Sequence, residues 1–449
     1  MLIKAIVENF KSFKNRTELS MITSNKIRGN ISHKKNINNI NLLKNAVIYG
    51  ANASGKSNLI EFFRFFKYCV SKELPLSSTD LFCKLDKENE NRNSRFQLEF
   101  VIDNKFYDYG FEVLLKEREI KAEWLYELKV GGEAVCIYEV EDGKIPTLLM
   151  KNVDSDSNIK FKTYAEDYAG TKTSLFLTEL NRNKKYSDKS KLLILKKVYE
   201  WITRNIIVFS PDSLITDFEY FYNEKSLRAV NKLMSSFDTG ISEARIAKIT
   251  IDELKNRIPQ EIFKDVMEKI KETAAEGKDL KSSRFSMRSD DSFFNIEFND
   301  KNEPNITTIK LNHEKSMYEY EFSDESDGTR RLFDLIDMLL IKKNNVVFVV
   351  DELERSLHPK LTEKFLTLFN ETHKEKNIQL IFTTHESSIM DQSLFRRDEI
   401  WFVERGEHNY SSLYSLDMFK ERYDKKLSKN YLEGRYGAIP VFKKFKFEE

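Results

Sequence analysis

Residues 50–57 read GANASGKS, the GxxxxGK[ST] pattern of a phosphate-binding loop, between an apolar stretch and a segment with helical periodicity. In this setting the backbone N–H groups of the loop face the β- and γ-phosphates of a nucleotide, with the positive end of a helix behind them. Lys56 would place its charge between those phosphates, and Ser57 would offer a hydroxyl to Mg²⁺. The predicted ATP contacts are Gly50, Asn52, Ser54, Gly55, Lys56, Ser57 and Asn58. The alternative interpretation is a glycine turn that only caps a helix.

Two carboxylates follow the apolar run VVFVV at residues 346–350. Buried carboxylates at the carboxyl end of a parallel strand are costly unless a metal or a hydrogen-bond donor satisfies them. We expect Asp351 to hold the Mg²⁺ shell through water, and Glu352 to orient and deprotonate the attacking water. The alternative is an ordinary strand end whose acids are solvated.

A histidine follows the next apolar run, QLIFTT at residues 379–384. A strand that ends there would bring the His385 imidazole to the same edge of the sheet, where it would contact the γ-phosphate and sense its loss. A histidine at a strand end is often incidental, but the order of loop, acid pair and histidine favours the functional interpretation. Lys56, Glu352 and His385 are therefore the predicted catalytic residues.

The stretch ESDGTRR at residues 325–331 precedes the acid-pair strand. Ser326, together with free N–H groups at the start of a helix, would form a second anion site that is distinct from the loop at 50–57. A helix cap, in which Ser or Asp is followed by Gly, explains the same residues. The place of this stretch in the order of elements favours the anion site.

Alternating strands and helices must position these groups. Strands that are apolar throughout, between helices, indicate an α/β fold with a mixed or parallel sheet covered on both faces. Alternating segments from about 94–150 predict an antiparallel β arm, and the charged helical pattern at about 170–283 predicts an inserted helical lobe. We therefore expect three parts: 1–165 with the phosphate loop and the β arm, 166–283 as the helical lobe, and 284–449 with the remaining motifs.

The composition of the 449-residue chain argues against several classes of protein. Lys plus Arg number 73 against 72 Asp plus Glu, so the net charge of +1 gives no attraction to nucleic acid or to an anionic membrane. The cysteines Cys69, Cys83 and Cys136 have no CxxC spacing, which argues against a disulfide framework and a zinc site. The start MLIKAIVENF does not read as a signal peptide, and no apolar run approaches the roughly 18 to 20 residues that span a bilayer. We expect a soluble protein of the reducing cytoplasm.

Taken together, the four elements resemble the ABC-type ATPase head of SMC-like proteins, the OLD family and the RloA-like ATPases. The loop form GxNxxGKS, with Asn52, is typical of that group. The segments that look like the RloA-like branch are MLIKAIVENFKSFKN, IYGANASGKSNLI, SDGTRRLFDL, VVDELERSLHP, IFTTHESSIMD and YLEGRYGAIP. They are spread across most of the chain.

The resemblance implies contacts in trans across a dimer. Ser326 and Gly328 would fill the signature motif and bind the γ-phosphate held by the Lys56 of the other protomer. Ser356 would belong to the D-loop that crosses the dimer interface. The sequence departs from the family pattern at two places: the signature reads ESDGT in place of LSGGQ, and His358 replaces the Asp that usually follows the Ser-Leu pair. No residue is assigned as the Q-loop glutamine.

A function also follows from the resemblance. The chain would be an ATPase that closes as a head-to-tail homodimer on Mg-ATP and acts as a sensor or switch for an effector in bacterial antiviral defence. Too few residues follow His385 to form a nuclease domain, so we expect the nuclease or toxin in a separate chain. The alternative is a DNA-binding ATPase of the SMC or recombination kind, which the near-neutral charge disfavours. Residues 442–447, FKKFKF, interleave aromatic and cationic side chains as a nucleic-acid contact would, although a tail strand with one apolar face is the simpler explanation.

Overall fold

The computed structural model describes residues 1–27, 29–129, 131–141, 144–210, 224–275, 284–288, 292–299, 303–406, 408–420 and 426–440. The chain divides into two compact units. Unit 1 comprises Met1–Pro211, Lys343–Leu353 and His373–Glu449, and unit 2 comprises Asp212–Lys342 and Glu354–Thr372.

Strands and helices alternate along much of the chain. The strands are β1 (Leu2–Glu8), β2 (Thr17–Ser20), β3 (Lys34–Ile37), β4 (Ile40–Leu43), β5 (Asn45–Tyr49), β6 (Ser94–Ile102), β7 (Lys105–Leu114), β8 (Glu119–Leu128), β9 (Ala134–Glu141), β10 (Thr147–Leu148), β11 (Ile206–Phe209), β12 (Ile241–Ile249), β13 (Arg284–Arg288), β14 (Phe293–Phe298), β15 (Pro304–His313), β16 (Glu319–Glu321), β17 (Val346–Val350), β18 (Ile378–Thr383), β19 (Ile400–Arg405) and β20 (Ser411–Ser415). The α-helices are α1 (Lys56–Ser71), α2 (Ser155–Tyr168), α3 (Phe176–Asn181), α4 (Leu193–Glu200), α5 (Glu224–Met234), α6 (Ile251–Arg257), α7 (Gln260–Ala275), α8 (Asp327–Leu340), α9 (Pro359–Thr372) and α10 (Leu427–Leu432).

A six-stranded sheet of unit 1 carries the predicted loop, acid pair and histidine. Its strand order is β11-β17-β18-β5-β19-β20, and its neighbours are parallel except at β20, which is antiparallel to β19. β5, β17 and β18 are buried along their whole length, as expected for parallel strands covered on both faces. Because parallel strands end at the same edge of a sheet, Gly50, Asp351 and His385 follow strand ends at one edge. The predicted mixed α/β fold, with sheets flanked by helices, is confirmed.

The strands predicted as a β arm form a layer of unit 1. They belong to a seven-stranded sheet, β10-β9-β8-β7-β6-β1-β2, in which all neighbours are antiparallel. Helix α1 packs on this sheet through aromatic rings: Phe65 and Phe96 are 4.9 Å apart between centroids, and Phe66 and Phe111 are 5.2 Å apart. These side chains share one core with Ile48 of β5. Such rings bury large apolar areas, so the sheet fixes the helix that begins at the loop lysine.

Unit 2 contains a second antiparallel sheet, β12-β15-β14-β13, with β16 paired to β15. Helix α8 is preceded by Ser326, and all of its residues from Arg331 to Leu339 are buried. Its Phe333 ring lies edge-on to Phe322, with 5.4 Å between the centroids. Ser326 therefore stands at the start of a helix that is itself well packed.

The segment 166–283, predicted as a helical lobe, contains strands as well as helices. Helices α3 to α7 lie in it, but β11 also lies there as an edge strand of the parallel sheet of unit 1, and β12 belongs to the sheet of unit 2. β11 is only four residues, IIVF, directly after helical residues, so its apolar side chains continue the helical pattern. β12 reads ISEARIAKI, which is rich in residues of high helix propensity. Both segments are strands because they pair with strands that are distant in the sequence.

No helix among the described residues is long and apolar enough to cross a membrane. The FKKFKF segment at 442–447 lies outside the described residues.

Candidate nucleotide-binding site

The glycines of the predicted phosphate loop stand where no side chain fits. A Cβ at Gly50 would lie 2.6 Å from Ser54 Oγ, and a Cβ at Gly55 would lie 2.6 Å from Ser12 Oγ. Gly55 also has a φ of +113°, in the left-handed region that favours glycine. The loop therefore needs glycine at both positions in order to turn from β5 into α1.

Polar atoms inside the loop are arranged for an anion. The buried Lys56 ammonium donates to the carbonyl oxygens of Gly50 at 2.8 Å and Ala51 at 3.1 Å. The Ser54 hydroxyl is buried and has no hydrogen-bond partner among the described residues. Asn52 and Ser57 are exposed beside them. A buried hydroxyl without a partner is costly, and a phosphate oxygen would satisfy it, so the loop fits a nucleotide.

Two serines from distant parts of unit 1 support the loop. The Ser411 hydroxyl donates to the Ser54 carbonyl, and the Ser411 N–H donates to the Ser12 carbonyl at 2.8 Å. Asn58 Nδ2 donates to Ser12 Oγ at 2.7 Å. Asn58, a predicted ATP contact, is thus engaged in holding the loop. Ser12 and Ser411 were not among the predicted site residues, because only the folded chain brings them to Gly55.

The acid pair is held by a residue that the sequence reasoning missed. The Thr383 hydroxyl donates to Asp351 Oδ1 at 2.5 Å and accepts from the Glu352 N–H at 2.8 Å. The Asp351 N–H donates to the Phe209 carbonyl at 2.9 Å. Asp351 is buried, and Glu352 has a φ of +48°, which turns it out of the strand direction. The signal for Thr383 is a hydroxyl residue at the end of the apolar run LIF at residues 380–382.

His385 lies opposite Glu352. Its Nε2 is 3.9 Å from Glu352 Oε1, beyond the range of a direct hydrogen bond, and about two fifths of each side chain is exposed. Both groups therefore face solvent and can reach a common atom between them.

One cleft of about 750 Å³ gathers the predicted catalytic residues. It is lined by residues 52–58 together with Glu352, His385 and Arg405. This volume is in the range of pockets for drug-sized ligands. Asp351 is not a lining residue, since it lies buried next to Glu352 with its carboxylate on Thr383.

Arg405 is a lining residue that the sequence did not single out. It ends β19, which is the parallel neighbour of β5, and its side chain is exposed. A guanidinium in a cleft with a phosphate loop is suited to bind phosphate oxygens through two N–H groups. The signal in the sequence is the apolar run IWFV that ends in charged residues, but the pairing with β5 cannot be read from it.

The residues predicted to act in trans come together within unit 2. The Ser326 hydroxyl accepts from the Thr329 N–H at 3.2 Å, so it caps α8 as the alternative interpretation requires. A Cβ at Gly328 would lie 2.6 Å from the Ser356 carbonyl oxygen, and Ser356 has a φ of +62°. Ser326, Gly328 and Ser356 thus form one surface feature at the start of α8, in which the glycine permits close approach of the Ser356 backbone.

A protein family matches residues 46–391, which include the loop, the acid pair, the histidine and the Ser326 turn. It is described as "AAA domain, putative AbiEii toxin, Type IV TA system". The chain belongs to this family. It is therefore an ATPase-type P-loop protein of the AAA class. No curated protein matches the sequence.

Three solved structures of SMC heads are similar to the chain. The SMC head domain from Thermotoga maritima has 14% identity and a TM-score of 0.39, covering 92% of this chain and 98% of that one. An SMC head bound to the C-winged helix domain of ScpA has 14% identity and a TM-score of 0.43, covering 92% and 97%. A head with an extended coiled coil, bound to the C-terminal domain of ScpA derived from Pyrococcus furiosus, has 13% identity and a TM-score of 0.41, covering 97% and 99%. Identities and TM-scores this low carry no conclusion about function.

Two side chains of this AAA protein offer oxygen atoms of the kind that magnesium takes. Among the described residues there is no group of three or more His, Cys, Asp or Glu that could hold a metal alone. Mg²⁺ keeps several waters and takes one or two protein oxygens plus substrate phosphates. The exposed Ser57 hydroxyl and the Asp351 carboxylate are oxygen donors of that kind.

Proposed function

We propose that the chain binds Mg-ATP in the cleft of unit 1 and hydrolyses it. The observation that carries the proposal is that Lys56, Glu352 and His385, which are far apart in sequence, all line this cleft. On binding, the Lys56 ammonium would exchange the carbonyls of Gly50 and Ala51 for β- and γ-phosphate oxygens.

Magnesium would neutralise charge on the phosphate oxygens. We assign Ser57 to its coordination, and Asp351 to its shell through water. Thr383 keeps the Asp351 carboxylate in one orientation through its hydrogen bond. The metal shell would thereby be anchored to a side chain of β18.

Glu352 is the proposed general base. Its carboxylate is partly exposed in the cleft and would take a proton from the attacking water. His385, on the facing side, would contact the γ-phosphate and register its departure. The distance of 3.9 Å between the two side chains leaves room for hydrogen bonds to a shared oxygen.

A second copy of the chain would complete the site. We propose that its Ser326 and Gly328 contact the γ-phosphate and that its Ser356 crosses the interface. Charge-assisted contacts that exist only with ATP make such a homodimer a two-state switch.

The switch would act on a separately encoded effector in bacterial defence, as in the RloA-like ATPases that the sequence resembles. The family description names a toxin–antitoxin system, which has two components, and so supports a second chain. The effector role of that chain is drawn from the resemblance alone.

Phosphate release and particle mass of the purified chain test the proposal. Glu352→Gln should lower kcat by roughly 10²-fold or more while ATP binding persists, and light scattering should find an ATP-dependent dimer. Lys56→Ala should lower ATP affinity at least about tenfold, since a charge-assisted contact is lost.

Two control variants lose the same charge at positions outside the cleft. Glu371→Gln changes an exposed glutamate outside the cleft, and Lys72→Ala removes a lysine just beyond the far end of α1. Both should behave as the wild type. Normal turnover of Glu352→Gln would remove this residue as the base, and unchanged ATP affinity of Lys56→Ala would defeat the assignment of the loop.

A further inference from the structure

Unit 1 has a second cavity, of about 560 Å³, that shares no lining residue with the nucleotide cleft. It lies where β7, β8 and β9 meet the start of α4. Its lining residues include Lys105, Lys129, Lys151, Lys191 and Lys197. We call this cavity the lysine pocket.

The lysine pocket has an excess of positive charge. Among the described residues, its lining includes five lysines and two carboxylates, those of Glu127 and Asp103. Lys105 and Lys129 share Glu127, and Lys197 lies 2.5 Å from Asp103. The excess of three charges exceeds the net charge of +1 of the whole chain, so an anionic ligand is favoured at this place.

Two of these lysines are available for a ligand. Lys151 and Lys191 are exposed, and neither makes an ion pair with any residue in the described ranges. They lie in different connecting segments, since Lys151 follows β10 and Lys191 precedes α4. An anion held between them would therefore contact two separate parts of the chain.

Part of the lining of the pocket is apolar and is called its apolar wall. This wall comprises Tyr107, Val135, Ile137, Met150, Leu193 and Ile194. Val135 is 38% exposed, and the strand pairing of β8 and β9 slips beside Ile137, between the pairs Leu125–Tyr138 and Tyr126–Cys136. A bare phosphate or a nucleic-acid backbone would leave this wall uncovered, whereas an apolar side chain would fill it.

We propose that the lysine pocket binds an acidic peptide segment of a partner protein, in which carboxylates flank one or two apolar side chains. The carboxylates would meet Lys151 and Lys191, and the apolar side chain would lie on Val135 and Ile194. The proposal rests on the proposed function only for the existence of a separate partner. Binding of the peptide itself needs no nucleotide.

Fluorescence anisotropy with the full chain, in the absence of nucleotide, tests this site. The probe is a fluorescein-labelled peptide in which glutamates flank a leucine and a phenylalanine. The double variant Lys151→Glu, Lys191→Glu should bind it about tenfold more weakly, because two exposed attractions become repulsions. The matched double variant Lys160→Glu, Lys162→Glu, which changes two exposed lysines outside the pocket by the same charge, should bind as the wild type.

Further probes test the apolar wall. Val135→Ser, at a partly exposed position, should lower the affinity for the labelled peptide severalfold. The same variant should bind a peptide with serines in place of leucine and phenylalanine as the wild type does. A peptide with lysines for glutamates should not bind. Equal binding by the two double variants, or tighter binding of a single-stranded oligonucleotide than of the acidic peptide, would overturn the proposal. Thermal melting confirms that each variant is folded. Lys56→Ala should keep full peptide affinity, so the peptide site can be tested even if the ATPase assignment fails.

Discussion

The Thr383 hydroxyl donates a hydrogen bond of 2.5 Å to Oδ1 of the buried Asp351. The Thr383 hydroxyl oxygen also accepts a hydrogen bond from the backbone N–H of Glu352 at 2.8 Å. A single hydroxyl on β18 therefore fixes the first acid by its side chain and the second by its backbone. The orientation of both proposed functional carboxylates depends on the pairing of β17 with β18.

Thr383→Val should uncouple the two acids. Valine keeps the shape but leaves Asp351 Oδ1 without this donor, which costs about 1–3 kcal/mol in a buried place. We expect kcat to fall and the Mg²⁺ concentration for half-maximal ATPase activity to rise. Thr383→Ser, which retains the hydroxyl, should stay close to the wild type. Magnesium titrations of ATPase activity measure the effect, and a valine variant that matched the serine variant would contradict it.

Arg405 should contribute to nucleotide affinity. Its exposed guanidinium lines the cleft at the end of β19, so Arg405→Ala should weaken ATP binding about tenfold by loss of a charge-assisted contact. The effect should be smaller for AMP than for ATP if the contact is to the terminal phosphates. Arg435→Ala, at an exposed arginine outside the cleft, is the matched control. Calorimetric titration of both nucleotides decides the point, and equal losses for ATP and AMP would exclude a contact to those phosphates.

The groups that begin or end buried strands could be predicted from the sequence. Residues 346–350 are buried throughout, so their apolar run is continuous and marks Asp351 and Glu352 as the residues at the strand end. The loop at 50–57 is predictable because its pattern of residues is contiguous in the sequence and includes Gly55, whose φ of +113° favours glycine. His385 follows from the same reasoning as the acid pair.

Residues that depend on which strands are neighbours could not be predicted. Arg405 enters the cleft because β19 lies beside β5, and Ser411 reaches Gly55 because β20 pairs with β19. The order of parallel strands leaves no periodic trace in the sequence. The close approach of Gly328 to the Ser356 backbone likewise depends on the packing of unit 2.

The composite site of the proposed dimer can be tested with two inactive variants. Ser326→Arg should bind ATP in its own loop but not hydrolyse it, because the arginine occupies the space beside the γ-phosphate of the partner. Mixed with Lys56→Ala, it should recover about a quarter of the wild-type rate, since random exchange gives half mixed dimers with one intact site of two. Phosphate release from the mixture measures this.

Ser236→Arg is the control for the added arginine, since it lies at an exposed position elsewhere in unit 2. It should remain active alone. A mixture of Ser326→Arg and Lys56→Ala that stayed as inactive as its components would exclude a shared site.

A buried glutamate joins the antiparallel sheet of unit 1 to helix α3. Glu123 on β8 accepts hydrogen bonds from the Tyr109 and Tyr138 hydroxyls at 3.0 and 2.7 Å, and from the N–H groups of Phe176 and Leu177 at 2.6 and 3.0 Å. Burial raises the pKa of Glu123 above its ordinary value, and the four donors oppose that rise. The folded chain therefore binds this proton more tightly than the unfolded chain does.

Glu123→Gln should destabilise unit 1 and change its response to pH. The amide brings two donor hydrogens among four donors, where the protonated carboxyl brings one, which costs about 1–3 kcal/mol in the free energy of unfolding. Because the folded pKa is raised, the contribution of the wild-type carboxyl is fully present below the ordinary glutamate pKa of about 4.3 and is lost as pH rises through the folded pKa. The difference in unfolding free energy between wild type and Glu123→Gln should therefore shrink as pH rises over that window. Urea unfolding at several pH values measures it against Glu117→Gln, an exposed glutamate just before β8, and a difference that grew with pH would contradict the raised pKa.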